Sequence, residues 1–117
     1  MEQNEKVIDI SETCIGNYGA KCVAAVLTLC DGLEEIRLSN CGIRDEGALE
    51  LFEELKTSES VSILDLSKNP LTEKCFEGLL NLLSSNKKLQ RVELKGLTVK
   101  NKFSLNKLKT VMTRIVI

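Results

Sequence analysis

Val61-Ser62-Ile63-Leu64-Asp65-Leu66-Ser67-Lys68-Asn69-Pro70-Leu71 carries apolar side chains at Val61, Leu64 and Leu66, then a polar Asn69, then Leu71. The pattern is L-x-x-L-x-L-x-x-N-x-L, a short alternating strand running into a turn. Leu33, Ile36, Leu38, Cys41 and Ile43 fill the same slots one period earlier, and Leu89, Val92, Leu94, Leu97 and Val99 one period later. A weaker copy opens the chain with Ile8, Ile10, Thr13 and Ile15. The central apolar position moves from Ile10 to Leu38, Leu66 and Leu94, a step of 28 each time. The chain is built from copies of one unit.

Between these strands the apolar spacing changes from two to about 3.6, the signature of a helix packed on one face. A strand is expected over 7–11, then a helix over about 19–29 capped by Asn17, with Val23, Ala24, Val26 and Leu27 inward. The second strand spans 34–39. Asp45 stands where a helix cap belongs, and Gly47, Ala48, Leu51, Phe52 and Leu55 face the core. The third strand spans 62–67. Thr72 or Glu73 opens the helix that buries Cys75, Phe76, Leu79, Leu80 and Leu83. The fourth strand spans 90–95 and its helix about 102–114. Ile117 falls one period after Leu89, at the first slot of a fifth strand, so either Ile115-Val116-Ile117 folds back as a cap or the chain is a piece of a longer array.

One continuous period over 117 residues predicts a single domain, 1–117, with repeats at about 5–32, 33–60, 61–88 and 89–116. Strands would lie parallel on one face and helices on the other. A helix is wider than the strand spacing of about 4.8 Å, so the stack curves with its strands inside. The 43% hydrophobic and 3% aromatic content suits a regular Leu/Ile/Val core.

The 28-residue period, the strand–helix alternation and the Cys41/Asn69 switch resemble the ribonuclease-inhibitor-like subfamily of leucine-rich repeats, over nearly the whole chain. The resemblance implies an α/β fold: a short right-handed solenoid of about four strand–helix repeats, with a parallel sheet on its concave face. It implies that Cys41 and Asn69 bond loop backbone, a role Thr13 can share and Leu97 cannot. It also implies protein binding through the concave sheet.

Three rows of side chains alternate with the core positions and point from that sheet. They are Asp9, Arg37, Asp65 and Glu93; Val7, Glu35, Ile63 and Arg91; and Ser11, Ser39, Ser67 and Lys95. Arg37 lies between two aspartates in a lateral charge ladder. Val7 and Ile63 are apolar on a polar face. Val7, Asp9, Glu35, Arg37, Ile63, Asp65, Arg91 and Glu93 are therefore the candidate partner-binding residues. As an outward-facing residue, Asp65 is expected to matter little to stability.

No catalytic constellation is visible. The chain has no histidine, which removes Ser-His-Asp and Cys-His nucleophiles and His-based zinc sites. No glycine-rich phosphate loop occurs. The pairs Glu34-Glu35 and Glu53-Glu54 are sequence neighbours that diverge on a strand or helix. No enzyme activity, cofactor, metal or small-molecule substrate is expected. Five cysteines without C-x-x-C speak against a disulfide framework and for a reducing cytoplasmic or nuclear setting. By repeat phase Cys41 and Cys75 are core, and Cys14, Cys22 and Cys30 are exposed. The polar start argues against a signal peptide, and no apolar run reaches the roughly 18 residues of a membrane span, so no membrane insertion is expected.

The net charge of −1 conceals a division. Residues 1–85 hold 16 acidic and 7 basic side chains, and residues 86–117 hold 9 basic and one acidic. A basic terminal patch of Lys95, Lys100, Lys102, Lys107 and Lys109 results. Without stacking aromatics it does not fit nucleic acid. It fits an acidic protein surface, including the first repeats of a second copy in weak head-to-tail contact. Two readings follow: a non-catalytic protein-binding module, or a structural segment of a longer array or end-to-end assembly.

Overall fold

A computed structural model describes residues 6–30, 32–97 and 114–116. The strands are β1 (Val7–Asp9), β2 (Glu35–Arg37), β3 (Ile63–Asp65), β4 (Arg91–Glu93) and β5 (Ile115–Val116). They form one parallel sheet in chain order, β1-β2-β3-β4-β5. Helices α1 (Gly16–Leu27), α2 (Asp45–Leu55) and α3 (Phe76–Ser85, preceded by a 3₁₀ turn over Glu73–Cys75) form the second layer. Successive parallel strands need a crossover, and a helix supplies each one described.

The register repeats the period of the sequence. Ile8, Ile36, Leu64 and Val92 stand side by side, as do Asp9, Arg37, Asp65 and Glu93. The strands are shorter than their alternating pattern because the chain turns soon after the second apolar slot. Glu12, Asn40 and Lys68 adopt φ of 68°, 53° and 60°, and Gly96, one period on, 76°. Only glycine takes that left-handed turn without Cβ strain.

The core is the set of slots read from the period. Ile36, Leu38, Ile43, Ala48, Leu51, Leu55, Leu64, Leu79 and Val92 are fully buried. Two helical assignments differ. Leu82 is buried and Leu80 only partly so, and Val26 is 39% exposed. Val26 lies on α1, the first described helix of the layer.

The helix starts also differ from the sequence reading. Helix α1 begins at Gly16, with Ile15 at the cap position and no side-chain cap bond. Asn17 instead reaches forward one repeat, where its Oδ1 accepts from Arg44 N (2.8 Å) and Gly47 N (3.1 Å) at the start of α2. Asp45, one period later, repeats the device: its carboxylate accepts from Thr72 N (2.9 Å) and Thr72 Oγ1 (2.5 Å). Thr72 opens its own 3₁₀ turn as expected, its Oγ1 accepting from Lys74 N at 3.2 Å, whereas Asn17 and Asp45, expected to cap their own helices, serve the next repeat. The local spacing is that of a cap, but the nearest unpaired amides belong to the neighbouring turn.

The fifth strand corrects the phase. Ile115 pairs with Val92, a step of 23 residues, and continues the sheet in parallel without folding back. Arg114 accounts for the early entry. It stands 28 residues after Asn86, whose Nδ2 donates to Leu55 O (2.6 Å) and Ser58 O (3.0 Å). The Arg114 guanidinium donates to Leu83 O and Asn86 O (3.0 Å), the same loop carbonyls one repeat on, and in addition to Leu89 O (2.7 Å). The chain then enters the strand at once, without a stretch like Lys87–Gln90. The expected helix at 102–114 lies outside the described residues but for Arg114, as does Ile117.

Candidate interaction surface on the parallel sheet

Strand alternation sends Ile8, Ile36, Leu64 and Val92 towards the helices and their neighbours to the other side. The candidate residues all sit on β1 to β4 in two registered rows. Val7, Asp9 and Arg91 are exposed, Glu35, Arg37 and Ile63 half-buried, and Asp65 and Glu93 only 8% exposed.

Arg37 is the hub. Its Nε donates to Glu35 Oε2 at 3.1 Å, and its Nη1 lies 3.5 Å from Asp65 Oδ2 and 3.6 Å from Glu93 Oε2. One guanidinium on β2 thus reaches across β3 to β4, which its length and planar fork allow. Glu93 also receives Arg91 Nε at 3.2 Å and Lys95 Nζ at 3.8 Å. Burial disfavours the charge on Arg37. The bond to Glu35 and the fields of Glu35, Glu93 and Asp65 outweigh it, holding the guanidinium pKa above its ordinary value.

Asp65 does more than face outward. Its Oδ1 accepts from Ser67 N at 2.9 Å, closing the turn after β3. Asp9 makes the same bond to Ser11 N at 3.1 Å but stays exposed. The Ser11 backbone bond, then the Ser11 side-chain bond, hold its carboxyl below the usual carboxylate range, with a smaller contribution from Arg37. The serine row adds lateral bonds: Ser11 Oγ accepts from Ser39 N and Ser67 Oγ from Lys95 N, both at 3.0 Å.

Behind the strands runs a second, neutral constellation. Asn69 is 4% exposed, and its Oδ1 accepts from Cys41 N (2.9 Å) and Ile43 N (3.0 Å). Its Nδ2 donates to Leu38 O (2.8 Å), Leu66 O (3.0 Å) and Ser67 O (3.2 Å). Cys41 Sγ donates to Ile10 O (3.3 Å) and Ser39 O (3.5 Å). Thr13, at the same slot, is exposed, and its hydroxyl takes no partner among the described residues. Burial raises the Cys41 thiol pKa; burial, then Asp45, pushes Cys75 up to about 12. Both stay protonated, whereas Cys14, Cys22 and Cys30 are exposed.

Of the basic patch, Lys95 belongs to the sheet face through Glu93. Lys100, Lys102, Lys107 and Lys109 lie outside the described residues. The sequence reading missed the repeat-to-repeat polar links at Asn17, Asp45, Asn86 and Arg114. Their signal was present as polar residues recurring 28 apart, at 17 and 45 and at 58, 86 and 114. Among the described residues no group of three His, Cys, Asp or Glu is placed to hold a metal. No described helix is long and apolar enough to cross a membrane. Clefts of about 540 and 560 Å³ lie over the helix-to-strand loops around Thr57, Ser58 and Glu59, apart from the sheet face.

Known proteins agree with this geometry. A family model described as a Leucine Rich repeat matches residues 33–52. The chain is 41% identical over 59 residues to the centrosomal protein of 78 kDa of Mus musculus, covering 50% of this chain and 8% of that protein. It is 34% identical over 64 residues to the Xenopus tropicalis protein of the same name, covering 55% and 9%. The chain thus spans less than a tenth of the length of these relatives. Among solved structures it is similar to leiomodin-1 actin-binding site 2, with a TM-score of 0.81 at 17% identity, covering 90% of this chain and 62% of that one. With a parallel sheet stepped by 28 residues, helical crossovers and an Asn/Cys loop slot, the chain has a leucine-rich-repeat fold, and residues 33–52 match the family model of that repeat.

Proposed function

We propose that this chain is a non-catalytic protein-binding module of the ribonuclease-inhibitor-like kind, curved into a short right-handed arc, with its partner on the concave sheet. One observation carries the reading: the row of Arg37, Asp65 and Glu93 forms a connected charge network across three strands, beside the accessible apolar side chains of Val7 and Ile63. Fixed charges around small apolar contacts favour a protein of complementary surface over a small molecule. Four strands span only about 15–20 Å, so the contact is modest, near about 1,000 Å² in total. The likeness to centrosomal proteins supports an intracellular, cytoplasmic setting.

Affinity isolation with folded variants tests the reading. Ile63→Asp and Arg37→Glu are expected to lose the bound protein, while Leu49→Asp, a control on exposed helix surface, retains it. Equal recovery by all three removes the sheet face as the site.

A further inference from the structure

The outward slots of the helix layer differ in kind from one repeat to the next. On α2 they hold Glu46, Glu50 and Glu53, with Thr57 just past the helix end. All four are exposed, although α1 and α3 pack on either side of α2. One period later the slots hold Lys74, Gly78, Asn81 and Ser85. One period earlier, on α1, they hold Tyr18, Cys22, Ala25 and Leu29. Tyr18 and Leu29 are each 83% exposed, and Cys22 and Ala25 are exposed between them. Because the same slots stay open on α2, this exposure belongs to the outward face of the layer and not to an end of the sheet. A single exposed apolar side chain is ordinary, but here a whole row lacks the polar groups that the same row carries on the other helices.

The row also has a register. Steps of 4, 3 and 4 residues are those of a coiled-coil seam, which keeps its side chains in line along one face of a helix. Leu29 stays in line because its N–H donates to Val26 O at 2.9 Å, carrying the turn past Leu27. Small Cys22 and Ala25 between larger Tyr18 and Leu29 leave a saddle into which the ridge of a second helix packs. Lys21, the one charged side chain of α1, pairs with Glu46 of α2 at 3.3 Å. Helix α2 itself carries five acidic side chains and no basic one. The seam is therefore apolar along α1 and bordered on its α2 side by carboxylates.

We propose that the outer face of α1 docks an amphipathic α-helix of a partner protein, one whose apolar stripe is bordered by Lys or Arg. The stripe lies along Tyr18, Cys22, Ala25 and Leu29, and its basic border meets Glu46, Glu50 and Glu53. A second copy of this chain does not fit. Seam against seam around a two-fold sets the acidic α2 of one copy opposite that of the other. An anionic lipid surface is repelled by the same carboxylates. The seam lies on the helix layer, across the core from the sheet face.

Two labelled synthetic peptides of about three heptads test it, both with Leu at a and d, one with Lys and the other with Glu at e and g. By fluorescence anisotropy the Lys peptide is expected to bind the whole chain at least about tenfold more tightly than the Glu peptide. Ala25→Glu and Leu29→Asp are each expected to weaken the Lys peptide at least about tenfold. Both variants should melt within about two degrees of wild type, as changes at outward slots do. Ser84→Glu, which adds a negative charge at an exposed position of α3, is expected to leave binding unchanged. Glu46→Lys combined with Glu50→Lys is expected to reverse the preference in favour of the Glu peptide. Unchanged or tighter binding to Ala25→Glu would mean that net charge alone attracts the peptide, and overturns the proposal. Equal binding of the two peptides, or binding of neither, overturns it as well. Sedimentation of the chain alone over a concentration range is expected to give a monomer. A dimer that Ala25→Glu dissolves assigns the seam to a second copy instead and equally overturns it. None of these readings depends on what binds the concave face.

Discussion

Asn69 and Arg37 are each a polar hub in the same sheet, one behind the strands and one in front. Asn69 is neutral, buried, and bonded at 2.8–3.2 Å to five backbone groups of two adjacent repeats. Arg37 is charged, with its side chain 31% exposed, and its contacts with Asp65 and Glu93 are ion pairs at 3.5 and 3.6 Å. A buried amide that pairs backbone groups cannot be exchanged for water without cost, whereas a half-exposed ion pair largely can. The rear hub belongs to stability, and the front one is left to the proposed recognition surface.

The strongest challenge to this contrast is Asn69→Ala. Losing the side chain unpairs Cys41 N, Ile43 N, Leu38 O and Leu66 O, while Ser67 O keeps Asn40 N. A loss of about 2–4 kcal/mol is expected in denaturant melts, at about 1–3 kcal/mol per buried group less what water recovers. A loss near zero would mean the loops reorganise freely and the rear hub is not structural.

Asp65 tests the boundary between the hubs. It lies on the front face yet is nearly buried, bonded to Ser67 N and paired with Arg37. The position read from the sequence as outward and dispensable is now expected to cost about 1–2 kcal/mol as Asp65→Ala. Asp9→Ala, at the exposed copy of the same turn, is expected to cost less. Equal melts for the two would show that burial at Asp65 does not set the difference.

The smallest effect is expected at Arg37 itself. Arg37→Met keeps the stem over the sheet and removes the charge, and should change stability by under about 1 kcal/mol. Binding, measured on the same variant, should fall and wild-type binding should weaken as salt rises. A stability loss as large as that of Asn69→Ala would move Arg37 to the structural side and undo the distinction.

What was legible in the sequence was whatever one repeat determines alone. Alternation and period placed Leu38, Leu66 and Leu94 in the core and Val7, Glu35, Ile63 and Arg91 in one row, because side-chain direction follows backbone geometry. The division of the cysteines followed from the same phase. The candidate rows were readable, but not that Arg37 gathers carboxylates from three strands.

Only the tertiary structure decided where polar side chains spend their bonds. Asn17 and Asp45 have the local spacing of caps for their own helices, but in the stack the open amides within reach belong to the next repeat. Arg114 looks in sequence like one charge among nine, yet it occupies the carbonyl slot of Asn86 and lets β5 begin after 23 residues. A periodic pattern reports which way a side chain points, because that is set by its own backbone. Which group it meets depends on the distance between neighbouring repeats, and only stacking sets that distance.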